Sequence, residues 1–174
     1  MPYFAVAVAR SADGWAATEL DLDGVADVDD AADRLRDATA EAGVAVVFVE
    51  SDDTYLAVLR LDEQDDLRVF GSDAAFVAES RLGSALLGEV AIEPDLAEAT
   101  EVPVADDGST EPAGPPPPPG IEPVGDPDLL TDLGVPAARL LALCAQEGML
   151  PADVTAEVCQ LIGCGDEVEE LREV

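Results

Sequence analysis

The stretch from Glu93 to Gly125 holds nine of the chain's 13 prolines, five of them consecutive at Pro115 to Pro119, and not one basic residue. Proline lacks the backbone N–H that helices and central strands use, so this stretch can continue neither and has to divide the fold. All seven aromatic residues (Tyr3, Phe4, Trp15, Phe48, Tyr55, Phe70 and Phe76) lie on its N-terminal side. The division predicts a sheet domain over residues 1–92, an acidic proline-rich linker over 93–125, and a unit of short helices over 126–174. The five prolines suit a stiff polyproline II spacer. A ligand for an SH3-type domain would normally carry a basic neighbour, whereas the neighbours here are acidic or small.

Within the first part, Tyr3 to Ala9 and Trp15 to Leu22 read as strands, and Ser11, Asp13 and Gly14 supply the turn of a hairpin. From Val28 the apolar and small residues Ala31, Ala32, Leu35, Ala38, Thr39 and Ala42 recur at three- and four-residue spacing, which predicts an amphipathic helix stopped at Gly43. Val44 to Glu50 is almost wholly apolar and β-branched, as a strand covered on both faces should be. Ser51-Asp52-Asp53 then turns the chain into a further strand at Thr54 to Leu61, followed by a short one at Leu67 to Phe70. Ser72 or Asp73 can cap a helix to about Leu87, with Phe76, Val77, Leu82 and Leu86 facing the sheet. The order ββαβββα predicts an α+β fold, a mainly antiparallel sheet covered by helices in two layers.

Beyond the linker, Pro127, Pro136 and Pro151 stand where a first helical turn tolerates proline, and Gly134, Gly148 and Gly163 stand where helices should end. Three short helices and a frayed tail follow. Without an aromatic residue such a unit has a thin core and is marginal alone, so it should dock on something.

Charge excludes several function classes. The chain has 39 acidic residues against eight basic ones, a formal net charge of −31, and every basic residue is arginine. The acid is spread over all three segments: 20 acids and six arginines in residues 1–92, eight acids in the linker, and 11 acids with two arginines in the remainder. Affinity for nucleic acid and anionic lipid depends on lysine and arginine, so direct binding to either is disfavoured and a basic protein surface is the natural complement. Acid in this excess also keeps a protein soluble, and charge alone does not choose between the two roles. No apolar run approaches the roughly 20 residues needed to span a bilayer. Cys144, Cys159 and Cys164 are an odd number suited to reduced thiols, which points to the cytoplasm.

The chain contains no histidine and no lysine. That removes the commonest general base and metal ligand, the Ser-His and Cys-His nucleophiles, Schiff-base chemistry and the phosphate-binding lysine loop. No catalytic residue and no cofactor is expected. The acid pairs Asp29-Asp30, Asp52-Asp53, Asp65-Asp66 and Glu169-Glu170 read as solvated turns and helix faces, since a working dyad needs a shaped cleft. One metal alternative is Glu19-x-Asp21-x-Asp23-Gly24-x-x-Asp27-x-x-Asp30, whose spacing matches a calcium-binding EF-hand loop. Against it, Glu stands at the first position, Asp at the twelfth, and the preceding segment reads as strand. Cys159 and Cys164 are separated by four residues, and three cysteines are too few and too loosely paired for structural zinc; Cys144 and Cys159 suit small helix-facing positions.

The segments PYFAVAVAR, GWAATELDLDGVADVDDAADRLRDA, VAVVFVESDDTYLAVLRL and LRVFGSDAAFVAES, with LLTDLGVPAARLLALCAQEGMLPADV after the linker, resemble the tRNA adenosine deaminase-associated protein family. The resemblance covers nearly the whole chain apart from the proline-rich stretch. It implies an accessory protein partnered by the deaminase, and supplies no catalytic residues. The deaminase reaction itself needs H-x-E and P-C-x-x-C, neither of which occurs here.

Overall fold

The computed structural model describes residues 3–39, 42–51, 54–64, 66–91, 123–146 and 148–173. Most of the expected linker, including its polyproline II segment, lies outside these residues, as do the acid pair Asp52-Asp53 and Asp65.

The first hairpin forms from β1 (Phe4–Ser11) and β2 (Gly14–Glu19), with Val6 opposite Glu19 and Ser11 opposite Gly14. Helix α1 runs Val28–Ala38. Its start is a reciprocal cap: Asp30 N–H donates to Asp27 Oδ1 at 3.0 Å, and Ala26 N–H donates to Asp30 Oδ2 at 3.1 Å. Its buried residues, Ala31, Ala32 and Leu35, are those that the three- and four-residue spacing selects.

β3 (Val44–Ser51), β4 (Tyr55–Asp62) and β5 (Leu67–Gly71) extend the sheet, and Val124–Gly125 adds the short β6. The strand order is β2-β1-β3-β4-β5-β6, antiparallel throughout. The mainly antiparallel α+β sheet is therefore as expected. Val124 and Gly125 fall within the stretch read as linker, but pairing with Phe70 and Gly71 draws them into the sheet.

The helix expected to run from residue 72 or 73 to about 87 is two helices, α2 (Ala74–Glu79) and α3 (Arg81–Ala91). Asp73 caps the first, accepting from Ala75 N–H at 2.9 Å. The break is at Ser80, whose Oγ accepts from Gly83 N–H at 3.1 Å and shares a 3.0 Å hydrogen bond with the buried Tyr55 hydroxyl. Gly83 permits the bend, because a Cβ there would lie 2.5 Å from Val77 O. Val77 and Leu86 are buried as expected; the Phe76 side chain lies outside the description.

After β6 the chain forms a 3-10 helix (Pro127–Leu133), α4 (Ala137–Ala145), α5 (Pro151–Ile162) and α6 (Gly165–Glu173). Gly134 and Gly163 end their helices at φ 112° and 104°, where a β-carbon would be strained. Two expectations are corrected. The first helix is 3-10, and the supposed frayed tail is the helix α6, held because Val168 is buried against the core.

Sheet alternation separates two cores. One face carries Ala5, Ala7, Ala45, Val47, Val49, Ala57 and Leu59, where α1 and the α2–α3 pair contribute Ala31, Leu35, Val77 and Leu86. The other carries Val6, Val8, Val46, Phe48, Leu56, Val58 and Phe70, covered by Leu129, Leu130, Leu140, Val154, Val158 and Val168 from the C-terminal helices. The expected two layers are thus three. Each fully buried Val, Leu or Phe contributes about 1.5–3 kcal/mol relative to exposure, which is why a helical unit with no aromatic residue of its own holds to this face.

Candidate functional site

Three of the five acids of the calcium alternative, Asp21, Asp27 and Asp30, bond backbone N–H groups. Asp21 Oδ1 accepts from Asp23 N–H at 2.8 Å, Asp27 and Asp30 cap α1, and Glu19 ends β2. The Tyr3 hydroxyl accepts from Leu22 N–H at 2.8 Å and donates toward Asp23 and Asp21 at 3.3 and 3.4 Å. Burial foremost, with the Asp23 and Asp21 carboxylates adding to it, pushes the Tyr3 phenol above its ordinary range. Among the described residues, no three His, Cys, Asp or Glu side chains are grouped so as to hold a metal ion.

The cysteines are free. Cys159 and Cys164 are fully buried, and Cys164 N–H donates to Cys159 O at 2.8 Å around the end of α5. The thiol hydrogen bond with Cys164, then burial, pushes the Cys159 thiol up, while burial alone pushes Cys144 up to about 12. Neither is poised as a nucleophile at neutral pH.

Two buried charged residues carry long-range contacts that have no local sequence signature. Arg60, inside the apolar run of β4, reaches Asp62 and Asp132 and also donates to Leu129 O at 2.7 Å. Glu50, 5% exposed on β3, is paired with Arg172 of α6, whose guanidinium carbon lies 5.0 Å from the Phe4 ring centroid. An arginine or glutamate embedded among apolar strand residues is the one signal that could have announced such pairs.

Other arginines are paired too: Arg36 with Asp33 and Arg68 with Asp66 within a few residues, and Arg139 of α4 with Glu157 of α5. Carboxylates remain outside in excess. Asp21, Asp23, Asp27, Asp29, Asp30, Asp33 and Asp37 are exposed from the end of β2 through α1, and Asp166, Glu169, Glu170 and Glu173 are exposed on α6. Concavities interrupt this surface among the described residues. One, of about 420 Å³, lies among Tyr3, Leu22, Val25, Tyr55, Ser80 and Leu82 with Asp23, Glu79 and Arg81 among its other lining residues. Another, of about 590 Å³, lies between Ala17 of β2 and Glu167, Glu170, Leu171 and Glu173 of α6. No described helix is long and apolar enough to cross a membrane.

A family model described as Rv3753c-like tRNA adenosine deaminase-associated protein matches residues 3–165. The chain belongs to this family. The match takes in the sheet, the 3-10 helix, α4 and α5, and ends at the first residue of α6. Comparison with curated proteins and with solved structures gives no match.

Proposed function

We propose that this chain is a non-catalytic accessory protein that binds a basic surface of a tRNA adenosine deaminase through its acidic exterior. The observation that carries the reading is the family match over residues 3–165 in a chain with a net charge of −31. A surface that holds tRNA must be positive, because affinity for the phosphate backbone comes from lysine and arginine. An acidic protein that draws Arg36, Arg60, Arg68, Arg139 and Arg172 into ion pairs complements such a surface and competes for it with the nucleic acid. The absence of histidine and lysine from the sequence supports a role without chemistry of its own. Its free cysteines suit the cytoplasm as the place of action.

Co-purification of the full chain with the deaminase encoded in the same genome tests the association. Retention at low salt, with affinity falling at least tenfold on raising salt to several hundred millimolar, is the expected result. Added tRNA should displace the acidic protein. Absence of binding at low salt overturns the proposal, and binding indifferent to both salt and tRNA overturns its electrostatic part.

A further inference from the structure

β2 closes one edge of the sheet: it pairs with β1, and among the described residues no second strand lies beyond it. Which of its backbone groups face outward follows from one bond. Leu20 N–H donates to Ala5 O at 2.9 Å, and these residues fall in register with the pairs Val6–Glu19 and Ala7–Thr18. Bonded and non-bonded pairs alternate in an antiparallel ladder, so Thr18 and Ala16 direct their N–H and C=O groups to β1. Those of Trp15, Ala17 and Glu19 point away from the sheet.

Exposed edges are ordinarily blunted by lysine, proline, a bulge or a covering element. β2 has the sequence GWAATE, an unbroken register, and small side chains at Ala16, Ala17 and Thr18 that leave its backbone approachable. Beside it runs the groove of about 590 Å³, with Ala17 and Leu171 as apolar lining and Glu167, Glu170 and Glu173 as anionic wall. A six-residue open edge supplies backbone pairing, and the wall selects the sign of the side chains that come with it.

Resting on the accessory reading above, we infer that the β2 edge receives an extended segment of the partner protein as a seventh strand, with lysine or arginine at alternate positions facing the α6 glutamates. Alternate residues of an added strand face the same side, so a segment with basic residues two apart places them all on the anionic wall. A second copy of this chain is the wrong occupant. It would bring two bodies of net charge −31 together and set one anionic wall near another.

Residue-resolved amide hydrogen exchange on the full chain, free and with the deaminase, tests the inference. The Trp15, Ala17 and Glu19 amides should exchange freely alone and slow at least tenfold in the complex, while those of Ala16 and Thr18 are protected in both. Ala17→Pro removes an N–H that no bond to β1 uses, at an edge position that tolerates proline. It should abolish binding with the melting temperature little changed, and E167Q/E170Q/E173Q should weaken binding at low salt. If the deaminase binds but leaves the three outward amides unprotected, the edge inference is overturned and the accessory reading stands. If the deaminase does not bind at all, the accessory reading falls, and an eight-residue peptide alternating lysine with valine decides the edge. Protection of the same three amides by that peptide upholds it; none overturns it.

Discussion

Arg60 on β4 and Asp132 in the 3-10 helix clasp the C-terminal helices to the sheet through both terminal guanidinium nitrogens, with Nη2 2.8 Å from Asp132 Oδ2. Arg60 is 5% exposed and surrounded by core, whereas the Asp132 side chain is 61% exposed. Removing the two partners should therefore have unequal effects. Asp132→Ala leaves a buried guanidinium with Asp62 and a carbonyl only, and should cost about 1–2 kcal/mol after allowing for solvent at the carboxylate. Arg60→Met fills the same space without charge and should cost less, and in the double variant the Asp132 change should add almost nothing. Urea unfolding of the four proteins checks the cycle.

The same pair sets a pH dependence. The hydrogen bond from Arg60, foremost, holds the Asp132 carboxyl below its ordinary range. A carboxylate whose proton affinity is lowered by folding contributes stability above its unfolded pKa, about 3.9, and loses it as pH falls through the folded value. Acid also relieves the repulsion of a −31 body, so the raw melting temperature is the wrong observable. The difference in melting temperature between the wild type and Asp132→Asn should be constant from pH 7 to about 4.5 and shrink below about 4.

Much of the sheet was legible because its signals are local. Val44 to Glu50 shows its two-sided burial in an almost unbroken apolar run, and α1 shows itself in the three- and four-residue spacing of Ala31, Ala32 and Leu35. The break at Ser80 was not legible, since it depends on the Tyr55 hydroxyl 25 residues away and on the close approach of Gly83 to Val77. The third layer was hidden for the same reason: nothing near Leu140 or Val158 indicates that Phe48 and Val58 lie beneath them. The tail looked frayed because Val168 and Leu171 are scattered among acids, and only the underlying core gives those two side chains a reason to be helical. At the candidate site the excess of acid was plain in the composition. The free edge of β2 was not, because an edge is a property of strand order.

Covering by the C-terminal helices should make the sheet depend on them. A chain ending after residue 91 would expose Val6, Val8, Val46, Phe48, Leu56, Val58 and Phe70 together. Contiguous apolar faces of that kind drive association. Size-exclusion chromatography should find this truncated chain in large aggregates, and a hydrophobic dye should bind it strongly; a monomeric, dye-silent product would show that the sheet stands alone.

Asp27 separates capping from calcium binding. As an N-cap its replacement by alanine should cost about 1 kcal/mol. The loss should be the same in millimolar calcium as in chelator, because a ligand-linked site would add a term that grows with the metal. A larger loss in calcium than without it would restore the metal alternative for Glu19, Asp21, Asp23, Asp27 and Asp30.

Thiol chemistry reports on the packing of α5 and α6 over the sheet. The thiolate is the reactive form, and burial pushes the Cys144 thiol up to about 12, while Cys159 is raised by its hydrogen bond to Cys164 and by burial. At pH 8 the Cys144 thiol, pushed up to about 12, holds roughly a thousandth of the ordinary thiolate population. A disulfide reagent in excess should therefore modify the native protein about a thousandfold more slowly than the urea-unfolded chain, where all three cysteines react. Arg172→Ala loosens α6 from Glu50 and Phe4 and should speed the reaction of Cys164 and Cys159 through local opening, leaving the Cys144 rate unchanged. Rapid reaction of the intact wild type at Cys159 would mean that the helical layer is open in solution.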